Sequence, residues 1–289
     1  MIGVYDSGFG GLTVLRHLCA ALPERDLLYL GDSGRAPYGG RDAHTILDFA
    51  EQSVERLFEE GCRLVVVACN TVSCVALRHL QARYCGPASP RRILGVAIPG
   101  AEAAVAASAG QIGLIATRRT VESGTYVAEI RKLGPHRVTQ RAAPLLVPLV
   151  EEGWEDTDMA REAVRRYLAD LPGIDTLLLG CTHYPLLLPA IREALPAGVT
   201  ALDPGPYVAE RLVAWLGRHP GFDDPGTGAL RVLCTGDPGA FARLGERFLG
   251  APLPPPEPVA EVESRLAPRD PADAPRGQIT RSRPRRGLE

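Results

Sequence analysis

The feature that most constrains the fold is an uninterrupted apolar run at residues 64–67, shortly before Cys69. One leucine followed by three valines is typical of a strand buried on both faces, as in a parallel sheet. A second apolar run at residues 177–179 lies just before Cys181. The sequence therefore predicts two buried strands, each with a cysteine beyond its carboxyl end.

Short apolar runs and helix-length segments alternate along most of the chain. This alternation indicates right-handed crossovers and parallel sheets with helices on both faces, and ligands in such folds bind beyond the carboxyl ends of the strands. Strands are predicted at residues 2–5, 27–30, 64–67, 93–98, 112–116, 137–141, 176–179, 199–202 and 230–234. Helices are predicted from residue 12 onward and at 43–60, 72–84, 101–108, 123–133, 159–171, 188–195, 207–216 and 240–249. We predict an α/β fold with two domains, each a mainly parallel sheet flanked by helices.

The chain has 289 residues, which is long enough for two modest domains. Prolines at 87, 90 and 99 mark a crossing between them. We predict a first domain from residues 1–97 and 206–250, and a second domain from residues 98–205. Residues 251–289 are rich in proline and arginine, with few large apolar residues, so we expect them to form a flexible tail.

Composition and charge exclude several classes of function. The formal net charge is -2, which gives no reason to expect a nucleic-acid partner. No apolar run is long enough for a membrane span, and Met1 leads directly into the first predicted strand, so we expect a cytoplasmic protein without a signal peptide. Lys132 is the one lysine and lies at the end of a surface-type helix, which disfavours a pyridoxal Schiff base.

The seven cysteines are odd in number and not clustered, so reduced thiols are expected. Two of them, Cys69 and Cys181, are predicted at strand-to-helix turns, where a helix N-terminus favours a thiolate. A disulfide switch, a metal site, or a pair of bases on opposite faces of one carbon can each use two thiols. Redox pairs are usually close in sequence, and zinc needs two further ligands. The pattern therefore favours inversion at one carbon by a thiolate and a thiol, without a metal or a cofactor.

Each of these thiols has a neighbour that can accept or orient a proton. Asp6 and Ser7 follow the first predicted strand and can serve Cys69, whereas His183 lies two residues after Cys181. Asp6 can instead cap a helix or form an Asx-turn, and His183 can be a helix-entry residue bonded to the backbone. The residues alone leave both interpretations open.

Several neutral donors suit a carboxylate, although each can equally cap a helix. They are the side chains of Asn70, Thr71, Thr117 and Thr182 and the backbone N–H groups of Tyr38 and Gly39. Glu151 and Glu152 follow an apolar segment interrupted by prolines, and one of them can hold an ammonium group. The glycine loop at residues 8–10 is an incomplete dinucleotide motif, because residue 13 is a threonine.

Five motifs in register resemble the cofactor-independent glutamate racemases of the aspartate/glutamate racemase superfamily. The resemblance runs from residue 2 to about residue 250. The motifs are DSGFGGLT at residues 6–13, PYG at 37–39, ACNT at 68–71, PLVE at 148–151 and GCTHYP at 180–185.

The resemblance implies two thiols on opposite faces of bound glutamate, in a site between two α/β domains. Cys69 would take the α-proton from D-glutamate and Cys181 from L-glutamate, with Asp6 and His183 assisting. Substrate-binding positions are matched by Ser7, Pro37, Tyr38, Gly39, Asn70, Thr71, Thr117 and Thr182, and Glu151 matches an acid at the site. The resemblance further implies a homodimer that supplies D-glutamate for peptidoglycan.

Two departures from the family pattern are visible. Residues 203–206 read DPGP, where the family has an Asp-Ser-Ala-Glu type of segment, which affects the expected hinge. The sequence lacks the N-terminal extension that accompanies activation by a cell-wall precursor, so we expect no such regulation. The alternatives are an aspartate or hydantoin racemase of the same superfamily, and a non-catalytic two-lobed amino-acid-binding protein.

Overall fold

The computed structural model describes residues 1–260 of the chain. Its strands are β1 (Ile2–Asp6), β2 (Leu27–Gly31), β3 (Leu64–Val67), β4 (Arg92–Gly95), β5 (Gln111–Ala116), β6 (Arg137–Ala142), β7 (Thr176–Gly180), β8 (Thr200–Leu202), β9 (Leu230–Cys234) and β10 (Glu257–Pro258). Its α-helices are α1 (Leu12–Ala21), α2 (Ala43–Glu59), α3 (Asn70–Val75), α4 (Leu77–Tyr84), α5 (Ala97–Ala107), α6 (Arg118–Ser123), α7 (Thr125–Leu133), α8 (Leu146–Glu151), α9 (Asp158–Leu168), α10 (Leu188–Ala194), α11 (Gly205–Arg218) and α12 (Pro238–Leu249). Short 3-10 helices lie at Ser33–Arg35, Tyr184–Leu187 and Pro220–Phe222.

The strands form two parallel sheets. The first sheet has the order β10-β9-β2-β1-β3-β4 and the second has the order β6-β5-β7-β8. Every pair of neighbouring strands runs parallel. The predicted α/β fold with two helix-flanked parallel sheets is therefore confirmed, and the carboxyl ends of the strands in each sheet lie at one edge.

The two sheets share a continuous apolar core. One cluster of buried side chains contains Val4 of β1 and Val66 of β3 together with Ile115 of β5 and Leu179 of β7. Helix α1 lies in the same cluster through Leu12 and other residues. Because burial of apolar surface is the main stabilising contribution, this shared core holds the two sheets against each other.

Proline and glycine account for most of the differences from the predicted elements. The strand predicted at 93–98 ends at Gly95, and α5 begins at Ala97, so Pro99 lies in the first turn of a helix. Proline is tolerated there because the first backbone N–H groups of a helix have no intrahelical partner. Pro148 occupies a similar position in α8, a helix that the prolines of this segment concealed. Gly124, with φ of 65°, divides the helix predicted at 123–133 into α6 and α7.

The segment predicted as a flexible tail begins with ordered residues. Strand β10 pairs with β9 through Glu257 and Pro258 and extends the first sheet. The prediction is therefore wrong for these two residues, and residues 261–289 lie outside the described part of the chain.

The division into two domains stays a prediction. Strands β1–β4 and β9 of the first sheet fall within residues 1–97 and 206–250, and strands β5–β8 of the second fall within 98–205. Among residues 1–260, no helix combines the length and the apolar character needed to cross a membrane.

Candidate active site

Strands from both sheets deliver the predicted site residues to one place. Asp6 ends β1, and Cys69 follows β3 as the residue immediately before α3. In the second sheet, Thr117 follows β5 and Cys181 follows β7. These strand ends open onto a common cavity of about 440 Å³.

The cavity contains all but one of the predicted site residues. The exception is Asp6, which is completely buried behind the wall. The lining consists of Ser7, Pro37, Tyr38, Gly39, Gly40, Cys69, Asn70, Thr71, Thr117, Arg118, Pro144, Val147, Pro148, Glu151, Cys181, Thr182 and His183.

Cys69 is buried at the cavity wall, with 5% of its surface exposed. Its Sγ lies 3.3 Å from Ser7 Oγ. Burial, reinforced by the negative charge of Asp6, raises the pKa of the Cys69 thiol to about 12, against the opposing hydrogen bond from Ser7. This cysteine is therefore a thiol at neutral pH.

The charge of Asp6 acts on the Cys69 thiol, and the Asp6 side chain forms a local turn. Its Oδ2 accepts a hydrogen bond from the Gly8 backbone N–H at 3.0 Å, which is the Asx-turn that the sequence allowed. Its Oδ1 is buried and has no hydrogen-bond partner within residues 1–260. Burial raises the pKa of Asp6, although the positive charge of His183 opposes this rise. One carboxyl oxygen of Asp6 therefore holds the turn, and the other makes no hydrogen bond within residues 1–260.

His183 lies between Cys181 and an acid. Its Nδ1 is 3.9 Å from Cys181 Sγ, and its Nε2 is 3.0 Å from Glu151 Oε1. Burial lowers the pKa of His183, but the hydrogen bonds and charges of Cys181 and Glu151 outweigh this and raise the pKa to about 10. The ring is therefore an imidazolium at neutral pH, and its positive charge attracts negative charge on the neighbouring sulfur.

The structure distinguishes the two candidate acids. Glu151 lines the cavity and contacts His183, whereas Glu152 is exposed and does not line the cavity. One oxygen of Glu151 is engaged by the imidazole, so orienting this ring is a role for Glu151 besides the predicted contact to an ammonium group.

Three of the predicted donors are already hydrogen-bonded within the protein. The hydroxyls of Thr71 and Thr117 lie 2.9 Å apart, and Thr117 is also 2.9 Å from Thr120 Oγ1. Asn70 accepts a hydrogen bond from the Tyr126 hydroxyl through Oδ1 at 2.5 Å. Since its oxygen is occupied, the amide N–H groups of Asn70 are left to donate to a ligand.

The glycine loop after β1 allows the two halves of the site to approach. A Cβ placed on Gly10 would lie 2.6 Å from His183 Nδ1, so only glycine fits at this position without displacement. Thr13 Oγ1 donates to the Thr182 carbonyl at 2.9 Å. Gly39 likewise allows a close approach, because a Cβ placed on it would lie 2.8 Å from Thr117 Cβ.

Five lining residues are not among the predicted site residues. Arg118 is exposed and begins α6, directly after Thr117. Its place next to a predicted donor was the available signal, but an arginine in a first helical turn ordinarily indicates a solvated face. The others are Gly40, Pro144, Val147 and Pro148, which contribute backbone and apolar surface.

The fold and the cavity define a class of α/β proteins in which two parallel sheets share one site. Each sheet contributes one thiol to that site. The family described as Asp/Glu/Hydantoin racemase matches residues 14–212 of this chain. The chain belongs to that family and is an enzyme, a racemase.

The relatives are similar over nearly their whole length. Glutamate racemase from Desulforudis audaxviator is 41% identical over 272 residues, which cover 90% of this chain and 97% of the relative. Glutamate racemase from Geobacter metallireducens is 40% identical over 258 residues, which cover 87% of this chain and 93% of the relative. The resemblance proposed from the five motifs is confirmed.

Solved structures agree with the fold. Glutamate racemase from Francisella tularensis, in complex with D-glutamate, superposes with a TM-score of 0.82 at 31% identity, covering 90% of this chain and 97% of that chain. Glutamate racemase from Thermus thermophilus, in complex with β-chloro-D-alanine, gives a TM-score of 0.80 at 40% identity, covering 90% and 96%.

Proposed function

We propose that this protein interconverts L-glutamate and D-glutamate by proton transfer between two cysteines, without a cofactor. Similarity of about 40% identity to glutamate racemases supports the choice of substrate. The observation that carries the mechanism is that Cys69 and Cys181 come from different sheets and line the same cavity.

In this mechanism the substrate Cα lies between the two sulfurs. A thiolate on one side removes the α-proton, so the C–H bond breaks and its electron pair stays on the carbon. The thiol on the other side then donates its proton to the opposite face, and a new C–H bond forms. The two cysteines have exchanged protonation states, and the product has the inverted configuration.

The two thiols have different electrostatic surroundings. Cys69 has its pKa raised to about 12 and is the proton donor. Cys181 lies beside the imidazolium of His183, and by family resemblance it takes the α-proton of L-glutamate. For D-glutamate, Cys69 must first lose its proton, and Asp6 is the buried carboxylate that can take it.

Substrate binding uses the neutral donors of the lining. The amide of Asn70, the hydroxyls of Ser7 and Thr182, and the backbone at Tyr38 and Gly39 are suited to the carboxylates of glutamate. These groups donate hydrogen bonds without adding a fixed charge next to the thiols.

The family resemblance supports three further parts of the proposal. The D-glutamate produced serves peptidoglycan synthesis, the enzyme works as a homodimer, and it acts in the cytoplasm. The proposal also keeps the two predicted domains, with boundaries near residues 97 and 205, where α5 and α11 begin.

Circular dichroism of L-glutamate solutions tests the proposal with wild type, Cys69→Ser and Cys181→Ser. We expect each serine variant to racemise at least about a hundredfold more slowly, because a hydroxyl is a far weaker acid than a thiol. Cys85→Ser is the matched control, since this free cysteine lies outside the cavity and should leave the rate unchanged. Wild-type rates in both active-site variants would contradict the mechanism, and turnover of aspartate but not glutamate would contradict the substrate.

A further inference from the structure

Tyr126 of α7 is completely buried and contacts the catalytic site from behind, without lining the cavity. Its ring belongs to an apolar cluster that also contains Leu114 of β5 and several alanines of α5. Its hydroxyl lies 2.5 Å from Oδ1 of Asn70, the residue directly after Cys69. This hydrogen bond therefore joins a side chain packed against the second sheet to a side chain beside the thiol of the first.

The Tyr126 hydroxyl is the donor in this hydrogen bond. Burial raises the pKa of Tyr126 well above its usual value, so the hydroxyl keeps its proton at neutral pH. Within residues 1–260, Asn70 is the one hydrogen-bond partner of this hydroxyl. If the Asn70 amide were turned over, its NH2 group would donate to Tyr126, and the buried phenolic proton would have no acceptor, which costs free energy. The bond therefore selects one of the two orientations of the amide.

The selected orientation leaves the NH2 group of Asn70 for a ligand. Asn70 lines the catalytic cavity, and its Nδ2 is not fully buried and makes no hydrogen bond within residues 1–260. In the opposite orientation a carbonyl oxygen would take the place of Nδ2, and an oxygen acceptor repels a carboxylate. The orientation of one amide therefore decides whether this part of the lining attracts or repels a carboxylate.

We propose that Tyr126 is a positioning residue, which holds the Asn70 amide so that its NH2 group donates to a carboxylate of the substrate. The proposal rests on the proposed racemisation of glutamate, because it assigns the donor that Asn70 offers in that reaction. Since Tyr126 does not line the cavity, it acts on substrate binding through Asn70 and takes no part in the transfer of the proton.

NMR tests the orientation of the amide without requiring turnover. Asn70 is the single asparagine of the sequence, so protein labelled with 15N in the asparagine side chain gives one NH2 signal. We expect an order parameter of about 0.8 in the wild type and below about 0.6 in Tyr126→Phe, which removes the hydroxyl and keeps the ring. Tyr84→Phe is the matched control, because it removes a hydroxyl that donates to Glu55 outside the cavity, and the signal should not change.

The KM for L-glutamate tests the effect on binding. We expect Tyr126→Phe to raise KM about fivefold to tenfold and to change kcat less than about twofold, because a hydrogen bond to a charged group is weakened in substrate and transition state alike. Tyr84→Phe should leave both values unchanged. A double-mutant cycle separates positioning from packing: in the Asn70→Ala background, Tyr126→Phe should raise KM no further.

Three results would overturn the proposal. An NH2 group that is equally mobile in the wild type and in Tyr126→Phe shows that the hydroxyl does not hold the amide. An unchanged KM in Tyr126→Phe shows that the orientation does not matter for binding. An equal rise of KM with and without the Asn70 side chain shows that Tyr126 acts through packing.

Two further outcomes are distinguishable. A wild type that does not racemise glutamate, with an NH2 group that loosens only in Tyr126→Phe, would contradict the proposed function and still support the positioning of the amide. If Tyr126→Phe does not fold, Gly100→Ala decides, because its new Cβ would lie 3.2 Å from the Tyr126 hydroxyl and displace it while the ring is kept. Its NH2 order parameter should fall, and a value equal to that of the wild type would overturn the proposal.

Discussion

Replacing Glu151 by glutamine should lower the pKa of His183 by about one to two units. Unit charges 3.0 Å apart attract by about 5 kcal/mol at an effective dielectric constant of about 20. The Glu151 side chain is 28% exposed, and solvent screening reduces the coupling to about 1.5–3 kcal/mol. Since one pKa unit corresponds to about 1.4 kcal/mol, the pKa would fall from about 10 to about 8 or 9.

The assay is an NMR titration of protein with 13C-labelled histidine, comparing wild type with Glu151→Gln and the neighbouring Glu152→Gln. The pKa of His183 in the folded protein is above its ordinary value of 6.5. The His183–Glu151 pair therefore contributes fully to the stability of the folded protein below about pH 6.5, and this contribution is lost as pH rises towards 10. Glu151→Gln should therefore lower Tm at pH 6 and approach wild type above pH 10. The reasoning would be refuted by an unchanged His183 titration in Glu151→Gln, or by an equal shift in the exposed Glu152→Gln.

Gly10→Ala should lower kcat/KM about tenfold or more and reduce Tm, because the new Cβ would lie 2.6 Å from His183 Nδ1, whereas Gly86→Ala adds a methyl group with nothing within 4 Å and should leave both values unchanged. Arg118→Gln should raise the KM for glutamate about threefold to tenfold without changing kcat, because it removes an exposed cation from the cavity lining. In Arg118→Gln, kcat/KM should also become less sensitive to salt concentration. Arg192→Gln makes the same charge change outside the cavity, and an equal effect there would show that only net charge matters.

The strands and the thiols were predictable because their signal is local. An apolar run such as residues 64–67 indicates burial on both faces, and parallel strands align their carboxyl ends, so Cys69 and Cys181 were placed at sheet edges from sequence. That the two edges open onto one cavity followed from the family resemblance, since spacing along the chain does not determine how two sheets pack.

Only the family motif selected Glu151 over Glu152, and the residues themselves did not distinguish the two for a physical reason. Pro148 concealed a short helix, α8, and the direction of each side chain depends on which face of that helix is buried. Arg118 was missed for a related reason. It lines the cavity because α6 packs against the loop at Gly39, where the Arg119 N–H donates to the Gly39 carbonyl at 3.1 Å, and this is a contact between distant parts of the chain.

The surroundings of the two thiols are unequal, and Asp6 is the main difference on the side of Cys69. Burial raises the pKa of Asp6, and the same residue raises the pKa of Cys69. If Asp6 takes the proton that Cys69 must lose before acting on D-glutamate, Asp6→Asn should lower kcat with D-glutamate about tenfold or more and kcat with L-glutamate less. Enantiomers have equal free energies in water, so kcat/KM must remain equal in the two directions, and KM must change to compensate. The asymmetry is therefore visible only in the separate kcat values, and an equal fall of kcat with both enantiomers would assign Asp6 to the turn at Gly8 alone.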